Sequence, residues 1–272
     1  MYEFTPINRI ISIESVVTGI DVVRPKNFFF PGEMHDFWEA VLVLEGKAIA
    51  TGDAKVYNLS AGQLLFHKPL EFHRIWSAEQ SQPHLMIISF RAQGDGMRFF
   101  AERCFNIDLA GQKVFKNICG LIRKTVKAYR TGDKNYSLYS SRTASALEEF
   151  LLSITNDDAL VPEEPTTEEK KYREIVRIMD EHCCESLSVN DISRLCNMSV
   201  SSMKRFFGRF SDVGVAKFFL SLKIRRAMQL LDEGKNACEV ANLVGFDEVS
   251  YFHTAFKRET GVTPIKYQKT GK

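Results

Sequence analysis

The last third of the chain contains one pattern twice. Ser188 to Phe210 reads SVNDISRLCNMSVSSMKRFFGRF, and Ala237 to Glu259 reads ACEVANLVGFDEVSYFHTAFKRE. Aligned, Ile192 falls on Val240, Leu195 on Leu243, Asn197 on Gly245, Met198 on Phe246 and Phe207 on Phe256, with the extra residue of the second copy placed early in its second helix. A repeat this short cannot bury an apolar face alone, so each copy must be a small supersecondary unit braced by its neighbours.

The residue order predicts what that unit is. Ser188 is an N-cap candidate with Asp191 three positions on, a capping-box start. Asn197 and Gly245 stand where a tight turn needs positive φ, and Ser199 and Asp247 are placed to cap the helices that follow. Met203, Phe206, Phe207 and Phe210 give the second helix of the first copy an inward face; Phe252, Ala255 and Phe256 do so in the second. Helix, tight turn and helix make a helix-turn-helix, whose second helix fits the major groove of DNA. Between the copies, VGVAKFFLSLKIRRAMQLLDEG carries one apolar stripe (Phe218, Phe219, Leu222, Ala227, Leu230, Leu231). A helix of about 20 residues spans ~30 Å, close to one DNA turn of ~34 Å, so it would set the two units in successive grooves.

Val244-Gly245-Phe246-Asp247, Ser250-Tyr251-Phe252, Phe256-Lys257, Thr260-Gly261-Val262-Thr263-Pro264 and Tyr267 form one signature, joined by Lys223-Ile224, Ala227 and Leu230-Leu231 in the connecting helix. Over Tyr172 to about Tyr267 the chain resembles the DNA-binding domain of the AraC/XylS family of bacterial transcription regulators. The first unit departs from the family pattern at Gly208 and at Ser211-Asp212-Val213-Gly214, which predicts a looser end to its second helix. Carried over residue by residue, the resemblance implies base contacts from Ser201, Lys204 and Arg205, and from Val249, Ser250, His253 and Thr254. Arg and Lys donate to guanine O6 and N7, Ser donates or accepts, and Val meets a thymine methyl. Arg209, Lys217, Lys257 and Arg258 are expected on phosphates, which position the protein without specifying sequence.

The first part of the chain reads differently. From about Ile10 to Phe90, strand-like runs (Val41–Leu44, Lys55–Leu59, Leu64–His67, Leu85–Phe90) alternate with turn signals, the pattern of a β-sandwich or barrel. Val114, Ile118, Leu121, Ile122 and Val126, then Leu138, Ala144, Leu147, Phe150 and Leu151, recur at helical steps and predict two helices joined near Thr131-Gly132-Asp133. NDDALVPEEPTTEE, from Asn156 to Glu169, has the composition of an exposed linker. The expected architecture is α+β and multidomain. A double-stranded β-barrel occupies 1–95, a helical, dimerising segment 96–156, a linker 157–169, and an all-α domain with two helix-turn-helix units 170–272.

His35, Glu39 and Gly46, then Gly62, Pro69 and His73, resemble the pattern of a cupin, the small barrel often fused to this DNA-binding domain. His35, Phe37, Glu39, Val41 and Val43 share parity on one extended segment, so His35 and Glu39 face the same way. His73 would complete a two-histidine, one-carboxylate metal set. Metal-binding cupins carry a second His where this chain has Phe37, so the expectation is a metal-free pocket with no cofactor. Its expected lining is Phe37 and Trp38 or Trp76, the latter favoured, with His35, Glu39, His73 and Arg74, taking a small polar effector such as a sugar.

Composition bounds the rest. The overall charge of +2 divides into −2 over 1–167 and +4 from 168 onward, a mild nucleic-acid signal. Six cysteines form neither a zinc spacing nor a disulfide framework. With no leader-like N-terminus and no long apolar run, the expectation is a soluble, cytoplasmic protein away from membranes. The whole predicts a non-enzymatic, effector-controlled transcription regulator, an activator, with DNA, RNA polymerase and a second copy as partners. A metal-dependent cupin enzyme fused to a DNA reader and a constitutive DNA-binding dimer are the alternatives.

Overall fold

The computed structural model describes residues 5–78, 80–155, 160–161, 165–211 and 213–270. Nine strands precede nine α-helices among the described residues, with one short 3-10 helix, Asp95–Phe100, before the last strand. Ser12–Val23 (β1), His84–Gln93 (β8), Trp38–Glu45 (β3), Gln63–His67 (β6) and Cys104–Asn106 (β9) form one antiparallel sheet, in that order across it. Phe29–Glu33 (β2), His73–Ser77 (β7), Lys47–Gly52 (β4) and Lys55–Ser60 (β5) form the other. The sequence pattern had marked β3, β5, β6 and β8. It had left β1, β2, β4, β7 and β9 unmarked, because these are amphipathic or short and carry weaker apolar runs.

Alternation along the strands divides the first sheet between two cores. Val41 and Val43 of β3 and Leu85 and Ile87 of β8 point between the sheets, where they meet Leu59 and Ile75. Ala40, Leu42, Met86, Ile88 and Phe90 point the other way, onto two helices. Those helices are Leu109–Thr131 (α1) and Tyr136–Ser153 (α2), joined through Gly132 at φ 65° as expected. Their buried stripe is Phe115, Ile118, Cys119 and Ile122 on α1 and Leu147, Phe150 and Leu151 on α2. Val114 and Leu138, which the period had placed inside, are exposed. Their positions lie a fraction of a turn off the packed face.

Of the expected linker, Leu160 pairs with Phe105 and the Val161 amide donates to the Cys104 carbonyl. Thr167–Glu181 (α3) starts inside that stretch, closed by a full capping box between Thr166 and Glu169. Asn156 to Ala159 and Pro162 to Glu164 lie outside the described residues.

The remaining helices are Val189–Leu195 (α4), Val200–Phe207 (α5), Val215–Asp232 (α6), Ala237–Leu243 (α7), Val249–Thr260 (α8) and Pro264–Thr270 (α9). One helix serves two cores. The first half of α6 packs Val215, Phe218, Phe219 and Leu222 against α3, α4 and α5. Its second half packs Ile224, Ala227, Met228 and Leu231 against α7 and α8.

Candidate nucleic-acid interface and sensor site

Both helix-turn-helix units form as the repeat predicted. Ser188 and Asp191 make the reciprocal capping box of α4. Asn197 takes φ 51° and Gly245 φ 68° in the two turns. At Gly245 glycine is required twice over: a Cβ there would stand 2.4 Å from the Cys184 carbonyl oxygen. Ser199 caps α5 by accepting from the Ser202 amide. Asp247 does not cap α8; Glu248 is the N-cap, and the Asp247 carboxylate accepts from the Ser186 hydroxyl at 3.3 Å. The extra residue of the second copy therefore lengthens its turn rather than its second helix. As expected from Gly208, α5 stops at Phe207, whereas α8 runs on to a left-handed Gly261 cap.

On the outer faces, Ser201, Lys204 and Arg205 of α5 and Ser250 and Thr254 of α8 are exposed. Val249 and His253 are half-buried; Val249 packs on the α6–α8 core and the His253 ring lies edge-on to Phe252. Arg209, Lys217, Lys257 and Arg258 are all exposed; Arg209 pairs with Glu168 at 2.6 Å and Arg258 with Glu259 at 3.0 Å. Tyr251, 53% exposed on α8, stands beside these residues, although the sequence marked it only as part of the signature and gave it no contact. Behind the second turn, the buried Lys223 donates to the carbonyls of Val244 (2.8 Å) and Gly245 (3.0 Å). That cation sits at the C-terminal end of α7, where the helix dipole favours it, and it fixes the turn from within. The sequence showed Lys223 only as part of a signature.

At one end of the barrel, β3, β6, β7 and β2 bring acidic and imidazole groups together. Glu39 pairs across the sheet with His67 on one side and Ser89 on the other. The Ser89 hydroxyl donates to Glu39 Oε2 at 3.2 Å. His35 Nε2 lies 3.9 Å from Glu39 Oε2, and His73 Nε2 lies 3.5 Å from Glu39 Oε1 and 4.0 Å from Glu33 Oε1. His35 stacks on Phe37 with ring centroids 3.7 Å apart, and His67 stacks on His73 at 4.3 Å. Burial by itself would raise the Glu39 carboxyl, but His35 and His73 beside it outweigh burial and hold it well below the usual carboxylate range. Burial pushes the His67 imidazole down, and the neighbouring His73 adds to that.

His35, Phe37, Glu39 and His73 thus converge as expected, although residues 36 and 37 form a bend and β3 begins only at Trp38. Trp76 does not join them. On β7, His73 and Ile75 point into the barrel, so Arg74 and Trp76 share the opposite face, where the Arg74 guanidinium lies 4.4 Å over the Trp76 ring. Glu33, His67 and Glu71 were missed. The parity of His67 with the inward Leu65 was the available signal for one of them; Glu71 lies outside the strands, where no period applies. A separate cavity of about 390 Å³ opens between β5, β9 and the start of α3, with Tyr57, Arg103, Glu169 and Arg173 in its wall.

The barrel end also touches the helical domain. Between His67 and His73, Glu71 turns inward, bonded to His67 Nδ1 at 3.1 Å, while Phe72 turns outward into the core of the first helix-turn-helix unit, edge-on to Phe218 at 5.8 Å. Gly52 lets the β4–β5 turn approach, since a Cβ there would stand 2.3 Å from Glu71 Oε1. The next residue, Asp53, accepts from Arg225 of α6, which also holds Asp180 of α3 at 2.9 Å.

Comparison with known proteins agrees with both halves. Residues 192–270 match a helix-turn-helix domain family, and residues 16–95 match the AraC-like ligand binding domain family. The Msm operon regulatory protein of Streptococcus mutans is 24% identical over 257 residues, spanning 90% of this chain and 88% of its own length. The transcriptional activator RhaS of Escherichia fergusonii is 20% identical over 259 residues, spanning 92% and 91%. Among solved structures, ToxT from Vibrio cholerae aligns over 95% of this chain and 97% of its own, at 14% identity and a TM-score of 0.39. No helix among the described residues is long and apolar enough to cross a membrane.

Proposed function

As a member of the AraC/XylS family of transcription regulators, the chain joins a ligand-binding domain to a helix-turn-helix domain, and from this premise we propose that it is a sequence-specific activator whose grip on DNA is set by an effector in the barrel. The observation that carries the reading is the pair of recognition helices held on one rod, each with polar tips turned outward. Ser201, Lys204 and Arg205 would read bases in one groove, and Val249, Ser250, His253 and Thr254 in the next. Arg209, Lys217, Lys257 and Arg258 would fix the backbone. The activator role takes its support from the relative named as one, and implies contact with RNA polymerase.

Control by the effector has a physical route. The segment from His67 to His73 lines the barrel end with one set of side chains and plugs the first helix-turn-helix core with another. A ligand that moves His73 or Glu71 necessarily moves Phe72, and through the Gly52–Asp53 turn it bears on Arg225 of the rod. Such a ligand shifts the balance between arrangements of the DNA-binding domain in proportion to its differential affinity for them. Exposed Leu109, Tyr129 and Leu138 on α1 and α2 suit a second copy of the chain.

A selection from random double-stranded DNA with the full chain tests the reading. The expected result is a two-part site with centres about 10 base pairs apart. Recovery of DNA with no shared sequence overturns it.

A further inference from the structure

The first part of the chain is acidic but for one helix. Residues 1–167 hold 18 Lys/Arg and 20 Asp/Glu, yet α1 alone supplies six of those cations, Lys113, Lys116, Arg123, Lys124, Lys127 and Arg130, and no acid. Without α1 the same part holds 12 against 20, a net of −8. At 3.6 residues per turn the six fall within one sector of about 120°, opposite the Phe115, Ile118 and Ile122 stripe that packs on the sheet. All six are exposed, and none forms an ion pair among the described residues. Cations three and four residues apart on a helix repel, as Lys113 and Lys116, Arg123 and Lys127, and Lys127 and Arg130 do here. Nothing within the fold offsets that repulsion. From Lys113 to Arg130 the stripe runs about 25 Å. Gly120, near its middle, leaves nothing within 4 Å of where a side chain would stand. Toward its far end Arg123, Lys127 and Arg130 line a hollow of about 550 Å³ against Val17, Thr18 and Gly19 of β1.

We infer that this face of α1 grips the sugar-phosphate backbone of DNA, as a second contact beside the helix-turn-helix units. One DNA strand carries a phosphate every ~3.4 Å of axis, so about seven run the length of the stripe. A linear track of cations matches that regular spacing, and an open Gly120 lets the backbone come close. The other occupants fit less well. A second copy of the chain would set cations against cations. An anionic lipid surface calls for apolar side chains among the cations, and the sector between Lys113 and Arg130 holds only Gly120 besides them. Once the helix-turn-helix units are seated, the same DNA stands at high effective concentration near the rest of the chain, so a weak contact suffices. The inference rests on the chain being a DNA-binding protein; it adds a grip outside the helical domain and reads no bases.

The test uses the full chain and a random-sequence duplex of about 40 base pairs, titrated over a range of salt concentrations. The fourfold variant Lys113→Gln, Lys116→Gln, Lys124→Gln, Lys127→Gln should bind at least tenfold more weakly at about 0.1 M salt. It should also lower the slope of log affinity against log salt by about three to four, with the unfolding temperature unchanged. In the wild type, bound duplex should shield the same four lysines from acetylation, read by mass spectrometry. Arg209→Ala, in the first helix-turn-helix unit, should lower the slope by about one. An unchanged slope in the fourfold variant, or lysines acetylated equally with and without duplex, overturns the inference. Binding of the wild type but not the variant to phosphatidylserine-containing vesicles, with the DNA slope unchanged, hands the face to a lipid and overturns it too. A slope lowered by Arg209→Ala and not by the fourfold variant sinks the α1 contact and leaves the regulator standing; the opposite pattern does the reverse.

Discussion

The two helix-turn-helix units are copies of one motif, yet they divide the work unequally. The second is anchored from several sides: Gly245 packs against the Cys184 carbonyl, Lys223 holds the turn from beneath, and α8 runs twelve residues to a left-handed glycine cap. The first has an eight-residue recognition helix that runs out at Gly208. Its tip is cationic, with Lys204 and Arg205 exposed; that of the second is neutral, with Ser250 and Thr254 exposed and Val249 and His253 half-buried. A firmly packed neutral reader suits shape and methyl contacts, and a less constrained cationic one suits guanine edges and phosphates. The two copies stay apolar at the inward pairs Ile192/Val240, Met203/Phe252 and Phe207/Phe256, because packing demands it. The outward positions, which no core constrains, differ between the copies.

Three measurements would break or sharpen that contrast. The largest effect is expected in the cores. Phe252→Ala, emptying a fully buried aromatic site, should cost about 3–5 kcal/mol in the unfolding of the helical domain. Met203→Ala, its counterpart, should cost less, because the shorter unit can collapse around the gap. A larger loss at Met203 would invert the ranking. Next come the turns. Gly245→Ala places a methyl against the Cys184 carbonyl and forces a left-handed alanine, for about 2–4 kcal/mol. Asn197→Ala should cost about 1 kcal/mol; equal losses in chemical denaturation would show the two turns to be equally constrained. The smallest effects lie at the tips. Arg205→Ala should remove about 1–3 kcal/mol of discrimination at a single base pair, whereas Arg209→Ala should weaken all sequences alike and lower the salt slope by about one. Ser250→Ala should change affinity less than Arg205→Ala in the same binding titrations. If Arg205 and Arg209 behave identically on specific and random DNA, the groove assignment of the first unit falls.

Much of the helical domain was legible because its constraints are local. Caps, positive-φ turn residues and apolar spacing all sit within one short stretch, so Ser188, Asn197, Ser199 and Gly245 declared their roles. The misreading of Asp247 has a local cause too: a good capping residue stood one position early, and its partner Ser186 lies far away in sequence. The barrel was less legible because its site is assembled by pairing. Glu33 meets His73 only through the register of β2 on β7. Trp76 was misplaced because one residue of parity separates the inside of a barrel from its outside. Val114 and Leu138 obey a helical period whose phase is fixed only by what the helices pack on.

The single rod that α6 provides has a consequence for the DNA as well as for the protein. Because its two halves belong to two different cores, the reading heads cannot swivel independently to follow an altered target. One inserted base pair rotates the far half of a target by about 34–36° around the duplex axis. A rigid gauge cannot follow that rotation, so spacing within the operator should be as strict a password as the bases themselves.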